Sequence, residues 1–154
     1  MKYRVALSLI TLLIVSILMG LSSYKSNDNI KVEPEPQELH TIMRLLMLDI
    51  HTINEGIYTK NFDLIETGAA NINGHAALAD ESRQLVMNTL GDRMAQFGEY
   101  DNLVHSYADS IRDAAIQEDM GRVLEQYRIV EQGCVNCHAA FQDEIKSARL
   151  IRMD

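Results

Sequence analysis

From Leu39 to Ile57 the apolar residues step by four, three, four, three and four: Leu39, Met43, Leu46, Ile50, Ile53 and Ile57. That spacing predicts a helix whose inner face packs against other helices. Gly56 falls near its predicted end. Asn61 is placed to cap a second helix, with Asp63 and Glu66 in the first turns, where carboxylates suit the dipole. Ile65, Ala69, Ile72 and Ala76 form its inner face. Asp80 is placed to cap a short helix through Arg83, Leu85 and Leu90, which Gly91 stops. Asp92 opens a third long helix with Met94, Phe97, Val104, Ala108, Ile111 and Ala115 inside; Gly98 and Asp101 interrupt that stripe, so its start is expected to be ragged. After Asp119 and Gly121, a fourth seam runs Val123, Tyr127, Val130, Cys134, Cys137 and Phe141. Four amphipathic helices with short connections predict an all-α, antiparallel four-helix bundle over residues 38–154. No strand pattern, internal repeat or Gly-rich phosphate loop competes with it.

The first residues follow a different rule. Lys2 and Arg4 precede an almost unbroken apolar run from Val5 to Leu21. Residues 1–22 read as an export signal or an N-terminal membrane anchor: a run of about 17 residues is long for a signal and just enough to span a bilayer. Gly20 and Ser22 offer a weak cleavage site, and no cysteine follows for a lipoprotein anchor. In either case the positive start places the rest of the chain outside the cytoplasm, in the periplasm, soluble or tethered to the inner membrane. Residues 23–37, polar and holding Pro34 and Pro36, read as a flexible linker.

Composition agrees with helices. Apolar residues make up 47%, tryptophan is absent and prolines number only two. The net charge of −8 disfavours nucleic acid and anionic lipid surfaces as partners.

The only cysteines sit in Cys134-Val135-Asn136-Cys137-His138, a C-x-x-C-H run that is the attachment signature of c-type haem. Residues three apart on a helix share a face, so two thiols can reach the two vinyl groups of one porphyrin, and the adjacent histidine can face its iron. The bland reading is chance, since a pattern with three fixed positions does occur in unrelated proteins. Against it stand the absence of other cysteines and the export-like start. A thiol–disulfide centre is a second competitor, but such pairs usually open a helix after a strand. Half of a zinc site is a third, and it needs two more ligands.

A helical bundle with its single C-x-x-C-H near the C-terminus resembles the cytochrome c′ family, the class II c-type cytochromes. The resemblance covers about residues 38–152. Gly133 before Cys134, and Phe141 three after His138, fit the family's Gly-Cys-x-x-Cys-His-x-x-Phe run; Gln142 stands where a basic residue is frequent. Ile42-Met43-Arg44 resembles the first helix of the six-coordinate, low-spin branch. The resemblance implies one covalent haem c in the bundle core, His138 as an axial iron ligand and Met43 as the sixth ligand. Met47 is the rival, since it stands where a glycine is common. Family members commonly dimerise.

Other residues have quieter readings. Met43 on a seam is also a packing residue, and Arg44 is either a partner for a haem propionate or a solvated cation. His40 and His51 lie about three turns apart and share a face, so one of them is a further candidate ligand. His75 and His105 have no spacing argument and read as structural or exposed. The resulting expectation is a periplasmic electron carrier working with redox partner proteins. The alternative is a five-coordinate haem protein that binds a gas such as nitric oxide. A cofactor-free helical adaptor is a third class. No convergent acid–base pair or activated nucleophile points to an enzyme.

Overall fold

The seams form helices where the periodicity predicts them. The computed structural model describes residues 34–153, with side chains through residue 149. The helices are α1 (Leu39–Thr59), α2 (Phe62–Asn73), α3 (Asp80–Leu90), α4 (Met94–Ile116) and α5 (Met120–Met153); one 3-10 turn at Gly91–Arg93 leads into α4. Among the described residues there is no strand, only an isolated bridge between Gln37 and Leu78. The chain is all-α. The expected export segment and residues 23–33 of the expected linker lie outside the described residues, and no described helix is long and apolar enough to cross a membrane.

Local chemistry explains most boundaries. Lys60 adopts a left-handed conformation that closes α1, and Asn61 Oδ1 accepts the Leu64 amide at 3.2 Å to open α2. Asp119 Oδ1 accepts the Arg122 amide at 3.0 Å at the start of α5. Gly91, at φ +51°, ends α3 in a backbone region that disfavours side chains. Three expectations need correcting. Asp80 does not cap α3: Ala79 holds the cap position without a side-chain bond. Ala76 is buried but lies beyond α2, which stops at Asn73 because Gly74 turns the chain. The third long helix starts at Met94 rather than Asp92, which sits in the 3-10 turn.

Helix α1 packs on α2, α2 on α4, and α4 on α5. Two glycines set the closest approach of the first pair. A Cβ on Gly56 would lie 2.6 Å from Ile65 Cγ1, and one on Gly68 would lie 2.8 Å from the Asp49 carbonyl oxygen. Gly56 thus meets the start of α2 and Gly68 the middle of α1, so the two helices are antiparallel. Gly133 similarly admits Leu103 and Val104 of α4 against α5.

The apolar interior falls into two clusters. One, around Ile53, Ile65, Ile72, Ile111, Val123 and Val130, fills the end of the bundle near the α1–α2 and α4–α5 turns. The other gathers Val86, Leu90 and Phe141, with Leu39, Phe97 and Tyr100 against them. Phe141 is its anchor: Phe97 lies 5.8 Å away and Tyr100 6.1 Å away between ring centroids, and the Arg93 guanidinium sits over the ring at 5.4 Å.

At the filled end, Asn54 Nδ2 donates to the Tyr127 hydroxyl at 2.5 Å and ties α1 to α5. Burial first, then the Glu131 charge, pushes the Tyr127 phenol well above its ordinary 10.0. A group raised by folding contributes stability that is complete below its unfolded value and is lost as pH climbs through the folded one. Wild type should therefore lose stability above pH 10 more steeply than Tyr127→Phe. At neutral pH that variant should cost about 1 kcal/mol for the hydrogen bond. Urea unfolding at successive alkaline pH values checks this; parallel curves for the two proteins would exclude the linkage.

Candidate functional site

Between the two clusters the helices part around a cavity of about 510 Å³, a volume within the usual range for cofactor sites. Its walls are mainly apolar: Leu39 and Leu46 from α1, Ile72 from α2, Phe97 and Val104 from α4, and Ile145 from α5. Cys134, Cys137, His138 and Phe141 line the α5 side, and Met43 lines the α1 side. Residues 94 positions apart in the chain thus face one space, because the α1 and α5 seams point to the same interior.

The start of α1 is clamped over this cavity. Ser82 Oγ of α3 accepts the Leu39 amide at 3.0 Å and donates to Glu38 Oε2 at 2.8 Å. Ser82 is the buried polar residue of the core, and this relay satisfies it. Gln37 is also fixed: its amide donates to Ala77 O at 2.9 Å, and its carbonyl accepts the Ala79 amide at 2.8 Å. These bonds hold His40 and Met43 at the cavity rather than leaving the first turn frayed.

Burial pushes both thiols above their ordinary 9.0. For Cys134 a backbone hydrogen bond opposes the rise and Glu131 adds to it; for Cys137 the neighbouring Cys134 and then Asp101 add to it. At neutral pH both are therefore protonated thiols. A thiol–disulfide centre needs the reverse, a thiol pushed down towards thiolate. The zinc reading is also poorly served. Among the described residues, the three-donor group of metal-binding geometry is His75, Asp101 and His105, and it contains neither cysteine.

The remaining candidates separate by position. Met43 is 37% exposed and lines the cavity, whereas Met47 is 53% exposed and does not. His40, one turn before Met43, lines it too, and His51 does not. Arg44 is exposed and outside the lining; the cations in the lining are Lys146 and Arg149 of α5. Sequence reasoning missed those two. The signal was present, because Gln142, Lys146 and Arg149 follow His138 in steps of four, four and three and so extend one stripe of α5. It also missed that His75 and His105 meet, with Nε2 atoms 3.2 Å apart.

A haem fits these residues on the chemistry of the donor set and the shape of the space. Two thiols and an imidazole stand on one helix, a thioether stands on the facing helix, apolar walls lie between, and two cations stand at hand for carboxylates. Comparison with protein-family models, with curated proteins and with solved structures gives no match.

Proposed function

We propose that this protein is a periplasmic mono-haem c-type cytochrome of the cytochrome c′ kind that carries single electrons. The observation that carries the proposal is the position of the C-x-x-C-H run on the wall of an apolar cavity that divides the core in two. A bundle that closed on itself would have no reason to leave that space between well-packed ends.

Each residue has a role in this reading. Cys134 and Cys137 hold the porphyrin through two thioethers. His138 would offer an imidazole nitrogen from α5 to the iron, and Met43 would offer a soft sulfur from α1. Lys146 and Arg149 neutralise the propionates at the rim through charge-assisted hydrogen bonds. Phe97, Val104 and Ile145 exclude water from the apolar faces. Haem, when bound, would supply one-electron chemistry, and a histidine–methionine donor pair would favour the ferrous form. The clamp of Ser82 on the first turn of α1 keeps the sulfur donor in place in both oxidation states. The apolar run after Lys2 and Arg4 supports export to the compartment where such attachment occurs.

Production of the full chain with a c-haem maturation system, followed by a pyridine haemochrome assay, tests the reading. The expected result is one haem per chain with the absorption of a porphyrin whose two vinyl groups have become thioethers. A folded, helical and haem-free product would overturn it and favour the cofactor-free adaptor.

A further inference from the structure

We propose that His75, His105 and Asp101 form a binding site for a divalent transition-metal ion of the zinc or copper(II) type, at the edge of the cavity that the C-x-x-C-H run also lines. His75 lies in the connection after α2, and Asp101 and His105 lie one turn apart on α4. One donor atom from each falls within 4.8 Å of the others. The two imidazoles are partly buried, and Asp101 faces solvent, so an ion has an entry path.

The hydrogen bonds around the two rings decide what lies between them. His75 Nδ1 donates to the Ala76 carbonyl oxygen at 2.7 Å, and His105 Nδ1 donates to Asn73 Oδ1 at 2.7 Å. Each ring therefore commits Nδ1 to an oxygen acceptor and leaves Nε2 as the nitrogen that can take a proton or a metal ion. The two Nε2 atoms face one another at 3.2 Å. At that distance a cation, either a proton or a metal ion, must lie between them. A backbone carbonyl or side-chain oxygen fixing the far nitrogen is also the usual support of a metal-bound histidine.

The distances suit an ion. Two ligand atoms at about 2.0–2.1 Å in a tetrahedral shell are separated by about 3.3 Å. The Nε2 pair is at 3.2 Å, and Asp101 Oδ1 is 3.7 Å from His105 Nε2, a gap that a small rotation of an exposed carboxylate closes. The charge suits it as well, because Asp101 brings an exposed carboxylate to the group. Two imidazoles and one carboxylate make a borderline donor set that selects zinc, copper(II) or their neighbours over calcium and magnesium. A fourth position is left for water.

The test uses the full chain as purified, with its haem content measured separately, so that the failure of either reading can be seen without the other. After treatment with chelator, equilibrium dialysis against zinc should find one tight equivalent per chain. His75→Gln and His105→Gln should each weaken it by at least about 100-fold, more than the loss of a supporting outer partner. Asn73→Leu should weaken it by about 10–100-fold. Copper(II) bound to wild type should show electron paramagnetic resonance couplings to two nitrogens, a readout that does not depend on whether a variant folds. Uptake of no ion, uptake unchanged in both histidine variants, or a proton shared between the two Nε2 atoms at neutral pH would each overturn the proposal.

Discussion

Cys134→Ala combined with Cys137→Ala should yield a protein from which acid–acetone removes all haem, whereas wild type should keep its haem through the same extraction. Each single variant should retain at most one thioether and hold its haem weakly. The folding consequence should be larger than that of an ordinary core mutation. A dry cavity costs about 24 cal/mol per Å³. The space of about 510 Å³ is partly open to solvent, so only its enclosed part carries that penalty, which still amounts to several kcal/mol, a large share of the stability of a domain. The haem-free chain therefore cannot keep the space dry and intact. Water enters, or the first half of α1 shifts, and the thermal midpoint should drop by about 20 °C. Calorimetry on protein with and without haem checks this. Equal midpoints, or equal extraction of haem from wild type and the double variant, would remove the basis for covalent attachment.

Met43→Ala should abolish the weak near-infrared sulfur-to-iron band expected of the ferric wild type and should open the site to carbon monoxide and nitric oxide. His138 approaches from α5, and the facing wall of the cavity belongs in part to α1. On that wall Met43 is in the lining, and Met47 is on the exposed side. Met47→Ala should leave the band in place and cost less than about 1 kcal/mol, as an exposed packing residue does. The structure also brings forward His40, one turn earlier on the same wall. His40→Ala should keep the sulfur band. A low-spin wild type without that band, made high-spin by His40→Ala, would assign the ligand to the histidine instead. A high-spin wild type that binds gas rapidly would give the gas-binding reading preference over electron transfer.

The helices were legible because each carries its own period. Ile53, Ile65, Ile111, Val123 and Val130 are all buried and all stand on stripes read from spacing alone. The Asn61 cap and the Gly91 stop were legible for the same reason: each acts on its immediate neighbours. What spacing does not carry is contact between distant segments. Asp80 has the residue type of a cap, yet the start of α3 is arranged around Ser82, whose partners Glu38 and Leu39 lie more than forty residues away. Gly56 lies in the last turn of α1, as its place in the stripe suggested, but its close approach to Ile65 could not be read from spacing. His75 stands in a connection with no period, so nothing local announces that it meets His105 thirty residues later. Lys146 and Arg149 were hidden for another reason. They continue a face that begins at His138, but the far end of α5 is polar on several sides, and a stripe of cations there looks like any solvated surface.

The two apolar clusters share the long helices α1, α4 and α5, whereas α2 serves the first and α3 the second. The filled end can keep its packing while the other end loosens. Amide hydrogen exchange would then divide the molecule. Protons in residues 108–130 would exchange only on global unfolding. Those in the first turns of α1 and in α3 would exchange through a smaller opening, whose free energy tracks the content of the cavity. Occupancy is in this sense a local variable: it sets how often one end of the bundle breathes, and the other end scarcely registers it.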